Sequence, residues 1–180
     1  MKLASERLLF NEITLNDAND IHKLHSYPEV DKYNTLGMPK DINETIELIQ
    51  PFIEVQNTAK RKSYFWKVVS NETKEFIGIA GMNLSLNKFK LGEIYYKILP
   101  DFWGKGYATE ISKTLIKSGF EKFHLHKVEA GVATENIASI KVLEKSGMTR
   151  EGLRRKILPI RGEWKDNYHY AIVEDDPRDY

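Results

Sequence analysis

The sequence predicts a mixed α/β fold: a central sheet of about six to seven strands with helices packed on its faces. Three observations carry this. Residues 63–70 and 75–83 are strand-like and flank the turn Asn71-Glu72-Thr73-Lys74, the pattern of a hairpin. Residues 91–99 and 126–133 are strand-like and separated by a helix-like stretch, a strand–helix–strand crossover. The full order, β-α-α-β-β-β-α-β-α-β-β, puts hairpins before the crossover and so is not a regularly alternating parallel sheet.

Taken in order, residues 7–14 alternate weakly and read as a strand. Thr14 to Ser26 opens with Asn16 and Asp17, good capping types, and continues with Ala18, Ile21 and Leu24 at helical spacing. Pro28 ends it, and 27–41, with Gly37 and Pro39, reads as a loop. Residues 43–56 form an amphipathic helix on Ile42, Ile46, Ile49 and Ile53, with Pro51 expected to kink or divide it. Lys60-Arg61-Lys62 reads as a solvated turn. Tyr64, Trp66 and Val68 alternate as core positions of the first hairpin strand. The helix that follows Gly106 runs to about Lys122, with Ile111 and Leu115 on its apolar face. Residues 136–146 form a shorter helix stopped by Gly147. Strands 148–157 and 163–173 close the chain around Pro159-Ile160-Arg161-Gly162, before a polar tail at 174–180. Residues 1–180 read as one domain.

Bulk composition excludes several classes. The 180 residues carry a net charge of +1, which argues against bulk attraction to nucleic acid or an anionic membrane surface. No cysteine is present, so disulfides, thiolate metal sites and a cysteine nucleophile are excluded. No apolar run is long enough to span a membrane, and the N-terminus lacks the apolar core of a signal peptide. A cytoplasmic protein is expected. His22/His25 and His124/His126 lack a third ligand, so no metal is expected.

The most informative stretch is Phe102-Trp103-Gly104-Lys105-Gly106-Tyr107-Ala108-Thr109. Two glycines precede a helix whose first N–H groups have no intrahelical partners, an arrangement that suits a pyrophosphate. The P-loop pattern is absent. A dinucleotide fingerprint is a closer rival: Gly104 and Gly106 fit its first two positions, and Glu129 falls roughly 20 residues on, where a ribose-binding acid stands in that fold. Against it, Thr109 occupies the third position, Pro100 to Trp103 separates strand from glycine, and the strand lies mid-chain.

Trp103-Gly104-Lys105-Gly106-Tyr107-Ala108-Thr109-Glu110 resembles motif A of the GNAT N-acetyltransferases, in the branch of the ribosomal-protein alanine N-acetyltransferases. A second block agrees: Asn136-Ile137-Ala138-Ser139, Leu143-Glu144-Lys145-Ser146-Gly147-Met148 and Glu151-Gly152. Glu6-Arg7-Leu8 and Gly92-Glu93-Ile94-Tyr95-Tyr96 are similar too, so the likeness covers about residues 5–173. Trp103 departs from the Gln or Arg that opens the motif in most of the superfamily.

The resemblance implies a GNAT-like fold with a splayed parallel pair, here 91–99 and 126–133, and acetyl-CoA as cosubstrate. Pantetheine would pair with backbone near Ile98 and Leu99. The pyrophosphate would rest on the segment Trp103, Gly104, Lys105, Gly106, Tyr107, Ala108 and Thr109. Asn136 would cap the next helix and present Ser139, the expected donor to the leaving thiolate. Glu93 is the candidate base for a primary-amine acceptor, acting directly or through a water. The acceptor is either a small molecule or a protein N-terminus; neither nucleic acid nor a membrane is expected as partner, and a homodimer is left open. Two alternatives stand beside this: a non-catalytic CoA-binding or regulatory module of the same fold, and a dinucleotide-binding oxidoreductase.

Overall fold

A computed structural model describes residues 1–59 and 61–180. One eight-stranded sheet organises the chain, in the order β1-β2-β3-β4-β5-β6-β8-β7. Its strands are β1 (Leu3–Ala4), β2 (Leu8–Glu12), β3 (Ser63–Ser70), β4 (Phe76–Leu84), β5 (Leu91–Ile98), β6 (Lys127–Ala133), β7 (Thr149–Ile160) and β8 (Glu163–Val173). Every neighbouring pair is antiparallel except β5 and β6. The strand count exceeds the six to seven expected because β1 adds a two-residue edge, too short for alternation to show.

Helices α1 (Ala18–His25) and α3 (Ile42–Glu54) cover one face, where Ile21, Leu24 and Ile49 pack with Phe65 and Ile79. Helix α4 (Tyr107–Glu121) covers the other, where Ile111, Leu115 and Ile116 meet Trp66, Val68, Met82 and Val128. Helix α5 (Ile137–Lys145) packs on α4 and β6. The two faces therefore have separate apolar cores, and β3 and β4 feed both.

Three local readings change. The loop at 27–41 contains a further helix, α2 (Pro28–Asp31); Pro28 stands in its first turn, where a missing N–H has no cost. Pro51 does not divide α3, because it lies in the last turn, and Asp41 caps the start by accepting from Asn43 and Glu44 N–H at 2.8 and 3.1 Å. Lys60 lies outside the described residues, but Arg61 is not a solvated turn residue. It is buried, ion-paired to Glu12, and its guanidinium lies 4.1 Å from the Tyr64 ring centroid. The β7–β8 turn tightens to Arg161 and Gly162, both at positive φ (50° and 79°), as a two-residue hairpin turn requires. The polar tail is docked: Tyr180 donates to Ser146 C=O at 2.7 Å, and Lys113 pairs with Asp179 at 2.8 Å. No helix among the described residues is long and apolar enough to cross a membrane.

Candidate active site

The site grows from a defect in the sheet. Strands β5 and β6 are paired only at Leu91, Gly92 and Glu93, opposite Lys127, Val128 and Glu129. Beyond Glu93 they separate while both continue, β5 to Ile98 and β6 to Ala133. On the other edge of β5 the ladder to β4 is unbroken from Gly92 to Ile98. That ladder fixes which backbone groups face the gap. Leu91 C=O accepts from Ser85, and Leu99 N–H donates to Ile77 C=O at 3.0 Å, so odd-numbered residues bond toward β4. Even-numbered residues, Tyr96 and Ile98 among them, turn their N–H and C=O groups into the gap. Leu99 does not contribute there, since its C=O also accepts from Phe102 at 3.0 Å.

The glycine segment closes the wide end of the gap. Gly104 and Gly106 have φ of 73° and 81°, a region that L side chains rarely adopt. Gly106 is the N-cap of α4. The first helical bond runs from Glu110 N–H to Gly106 C=O at 3.1 Å, which leaves the N–H groups of Tyr107, Ala108 and Thr109 free of intrahelical partners. Trp103 folds back, its indole N–H donating to Ile98 C=O at 2.8 Å. Lys105 is exposed, with Nζ 5.5 Å from the Phe102 ring.

On the α4 face, Asn136 Oδ1 accepts from Ser139 N–H at 3.2 Å and so caps α5. Ser139 is half-buried and is the side chain that acts on the Tyr96 hydroxyl. That hydroxyl is buried and has no hydrogen-bond partner at ordinary distance. Burial pushes the Tyr96 phenol up to about 12, against the opposing influence of Ser139, so it stays protonated. On the opposite face, Glu93 is exposed and stands at the last paired position of β5, beside Glu129.

The Acetyltransferase (GNAT) domain family matches residues 7–149. The chain belongs to the GNAT acetyltransferases. It is 32% identical over 172 residues to YoaA of Bacillus subtilis, an uncharacterized N-acetyltransferase, covering 96% of each chain. It superposes on a spermidine N-acetyltransferase of Vibrio cholerae, solved with CoA and spermine, at TM-score 0.82 and 22% identity, covering 96% of this chain and 98% of that one. A ribosomal-protein-S5-alanine acetyltransferase of Vibrio fischeri matches at TM-score 0.82 and 21% identity, covering 98% of both. At those identities the two structures share the fold with this GNAT chain.

Several groups at this GNAT site escape the motif reading. Arg7 and Ser5 reach the glycine segment through Glu110: Ser5 Oγ donates to its carboxylate at 2.7 Å and Arg7 Nε at 2.6 Å, while Arg7 Nη1 donates to Lys105 C=O at 3.1 Å. A cation thus flanks the free N–H groups; the only sign was Glu6-Arg7-Leu8. Glu129, the candidate ribose acid of the dinucleotide reading, is the third residue of β6 and faces away from α4. A ribose-binding acid belongs at the carboxyl end of its strand, so that reading fails on placement. Glu129 instead forms a group with Glu151 and His169 at metal-ligand spacing, but Lys127 Nζ already lies 2.6 Å from Glu151 and 3.8 Å from Glu129. His22 bonds Thr45 at 2.8 Å and His126 bonds Glu174 at 2.9 Å.

Proposed function

We propose that this protein transfers the acetyl group of acetyl-CoA to a primary amine, with Glu93 as base and Ser139 as donor to the leaving sulfur. The observation that carries the reading is the vertex of the gap: Glu93 is the last β5 residue paired to β6, and the strands part immediately beyond it. Acetyl-CoA supplies an activated acyl group on a good leaving thiolate. The groups present suit it. The N–H groups of Tyr107, Ala108 and Thr109, with Arg7 beside them, match a pyrophosphate, and the open backbone of Tyr96 and the N–H of Ile98 match the amides of pantetheine.

Glu93 accepts the proton that the ammonium must lose before it attacks, directly or through a water. Asn136 fixes the first turn of α5, and Ser139 donates a hydrogen bond to the departing sulfur from there. The Tyr96 hydroxyl, protonated and without a hydrogen-bond partner among the described residues, stands near enough to influence Ser139. A new C–N bond forms as the C–S bond breaks; the nitrogen's surplus proton goes to the departing thiolate, giving the free thiol, and Glu93 passes the first proton to solvent. Free α-amines titrate near 7.7–8.0 and lysine near 10.4, so at pH 7 roughly one α-amine in ten is neutral, against one lysine in a few thousand. An α-amine, such as a protein N-terminus, therefore asks least of an exposed Glu93.

The test is a panel of amines with acetyl-CoA and detection of free thiol. Glu93→Gln is expected to lower kcat/KM about a hundredfold, within the usual range for a lost general base, and to remove the lower limb of its pH profile. Acetyl-CoA binding with no thiol release across the panel would leave a CoA-binding module in place of an enzyme.

A further inference from the structure

The sheet face that carries Glu93 also holds two donor side chains with nothing to bond, one of them fully buried. Lys97 stands on that face of β5, four residues along, half-buried, and its ammonium makes no hydrogen bond or ion pair among the described residues. The carboxylate that acts on it is Asp31 of α2, which is itself buried and already accepts from Arg161 Nη2 at 3.2 Å. His25, the last residue of α1, is 3% exposed, and neither ring nitrogen has a partner among the described residues. Lys97 and His22 are the charges that act on it. The group therefore holds two cations, Lys97 and the exposed Arg161, against one carboxylate, with a neutral imidazole beside them. A buried donor without an acceptor, as the His25 ring is among the described residues, costs free energy.

We propose that Lys97 and His25 form a subsite for a carboxylate carried by the amine acceptor. The inference rests on the acetyl-transfer reading and adds the class of acceptor. One surplus positive charge calls for a monoanion, and a carboxylate offers one oxygen to the ammonium and one to an imidazole N–H. Glu93 and Lys97 are four strand residues apart, about 13 Å at 3.3 Å per residue. Even with both side chains leaning inward, amine and carboxylate are separated by several bonds rather than by one carbon. An ω-amino acid, or a peptide with an acidic side chain close to its N-terminus, has that shape. Burial holds the Lys97 ammonium down to about 8, against the pull of Asp31, so a carboxylate beside it would also restore its charge.

The experiment compares kcat/KM for matched pairs at saturating acetyl-CoA: 4-aminobutyrate against propylamine, and 6-aminohexanoate against pentylamine, with 3-aminopropylphosphonate as the dianionic arm. At least one carboxylate is expected to exceed its plain amine by about tenfold or more, the weight of one charge-assisted contact. Lys97→Met is expected to bring that ratio close to one, and His25→Gln to lower it. The wild-type ratio decides the matter even if Lys97→Met fails to fold. Equal turnover within every pair, or preference for the phosphonate, overturns the carboxylate subsite while acetyl transfer stands. Absence of thiol release with every amine, these included, overturns the transfer reading itself.

Discussion

The two faces of β5 are one strand read in two chemistries. Its even residues, Ile94, Tyr96 and Ile98, meet the apolar core under α4, and the one polar side-chain atom they bring is the Tyr96 hydroxyl. Its odd residues, Glu93, Tyr95 and Lys97, stand among ionisable groups brought by α1, α2 and the β7–β8 hairpin. Tyr95 fits only because Gly81 lies beneath its ring: a Cβ there would sit 2.0 Å from the Tyr95 Cζ. The first face is generic packing around a backbone cradle, suited to a donor molecule that never changes. The second is polar and costly, and it is the face proposed to receive the acceptor.

The largest effect is expected where the first face meets the cradle. A branched side chain at Gly106 has to adopt a φ of 81° and would cover the free N–H groups of α4. Gly106→Val should weaken acetyl-CoA binding about a hundredfold by titration calorimetry, which is about 2.7 kcal/mol. Helicity by circular dichroism should stay at the wild-type level, since the substitution lies at a helix start. Binding that survives the substitution would move the pyrophosphate away from α4.

The same contrast explains what was legible in the residues. The donor side is local. Trp103 to Thr109 are consecutive, Asn136 and Ser139 are one turn apart, and hydrophobic periodicity places the helices that carry them. Hence strands β3 and β8 and the glycine segment could be read directly. The ladder register could not, and it decides that Ile98 opens into the gap while Leu99 does not. The acceptor side is assembled from afar: Arg161 bonds Asp31 across 130 positions. His25 reads as the end of an amphipathic helix, Asp31 sat in an expected loop, and Lys97 looked like one more polar residue on an alternating strand. Arg61 shows the same limit, because a basic run gives no sign that one member is buried against Glu12.

A smaller effect should separate binding from chemistry on the donor side. Ser139 touches the leaving sulfur in the proposed geometry but no part of the pyrophosphate cradle. Ser139→Ala is expected to lower kcat about tenfold, the weight of one ordinary hydrogen bond to a readily departing thiolate, while KM for acetyl-CoA stays within about twofold. Tyr96→Phe should give part of the same loss, because it acts through Ser139. Unchanged turnover in Ser139→Ala with a competent amine removes the serine from the mechanism.

The acceptor face should reveal itself most gently in stability. Burial holds the His25 imidazole down to about 3 from its ordinary 6.5, with the Lys97 and then the His22 charges acting in the same direction. Between those two values only the unfolded chain takes up the proton, so the neutral form favours folding above pH 6.5 and that advantage is lost as the pH falls toward 3. The slope is at most about 1.4 kcal/mol per pH unit. Carboxylates elsewhere also titrate in this range, so the informative quantity is a difference. His25→Phe keeps an aromatic ring at the buried position and removes the titration. Urea unfolding at pH 6.5, 5.5 and 4.5 should show the wild type losing stability faster than His25→Phe, with the two curves diverging from the first step. Parallel curves would mean that His25 is solvated or bonded in the folded protein, and the buried polar face would lose one of its two unpartnered donors.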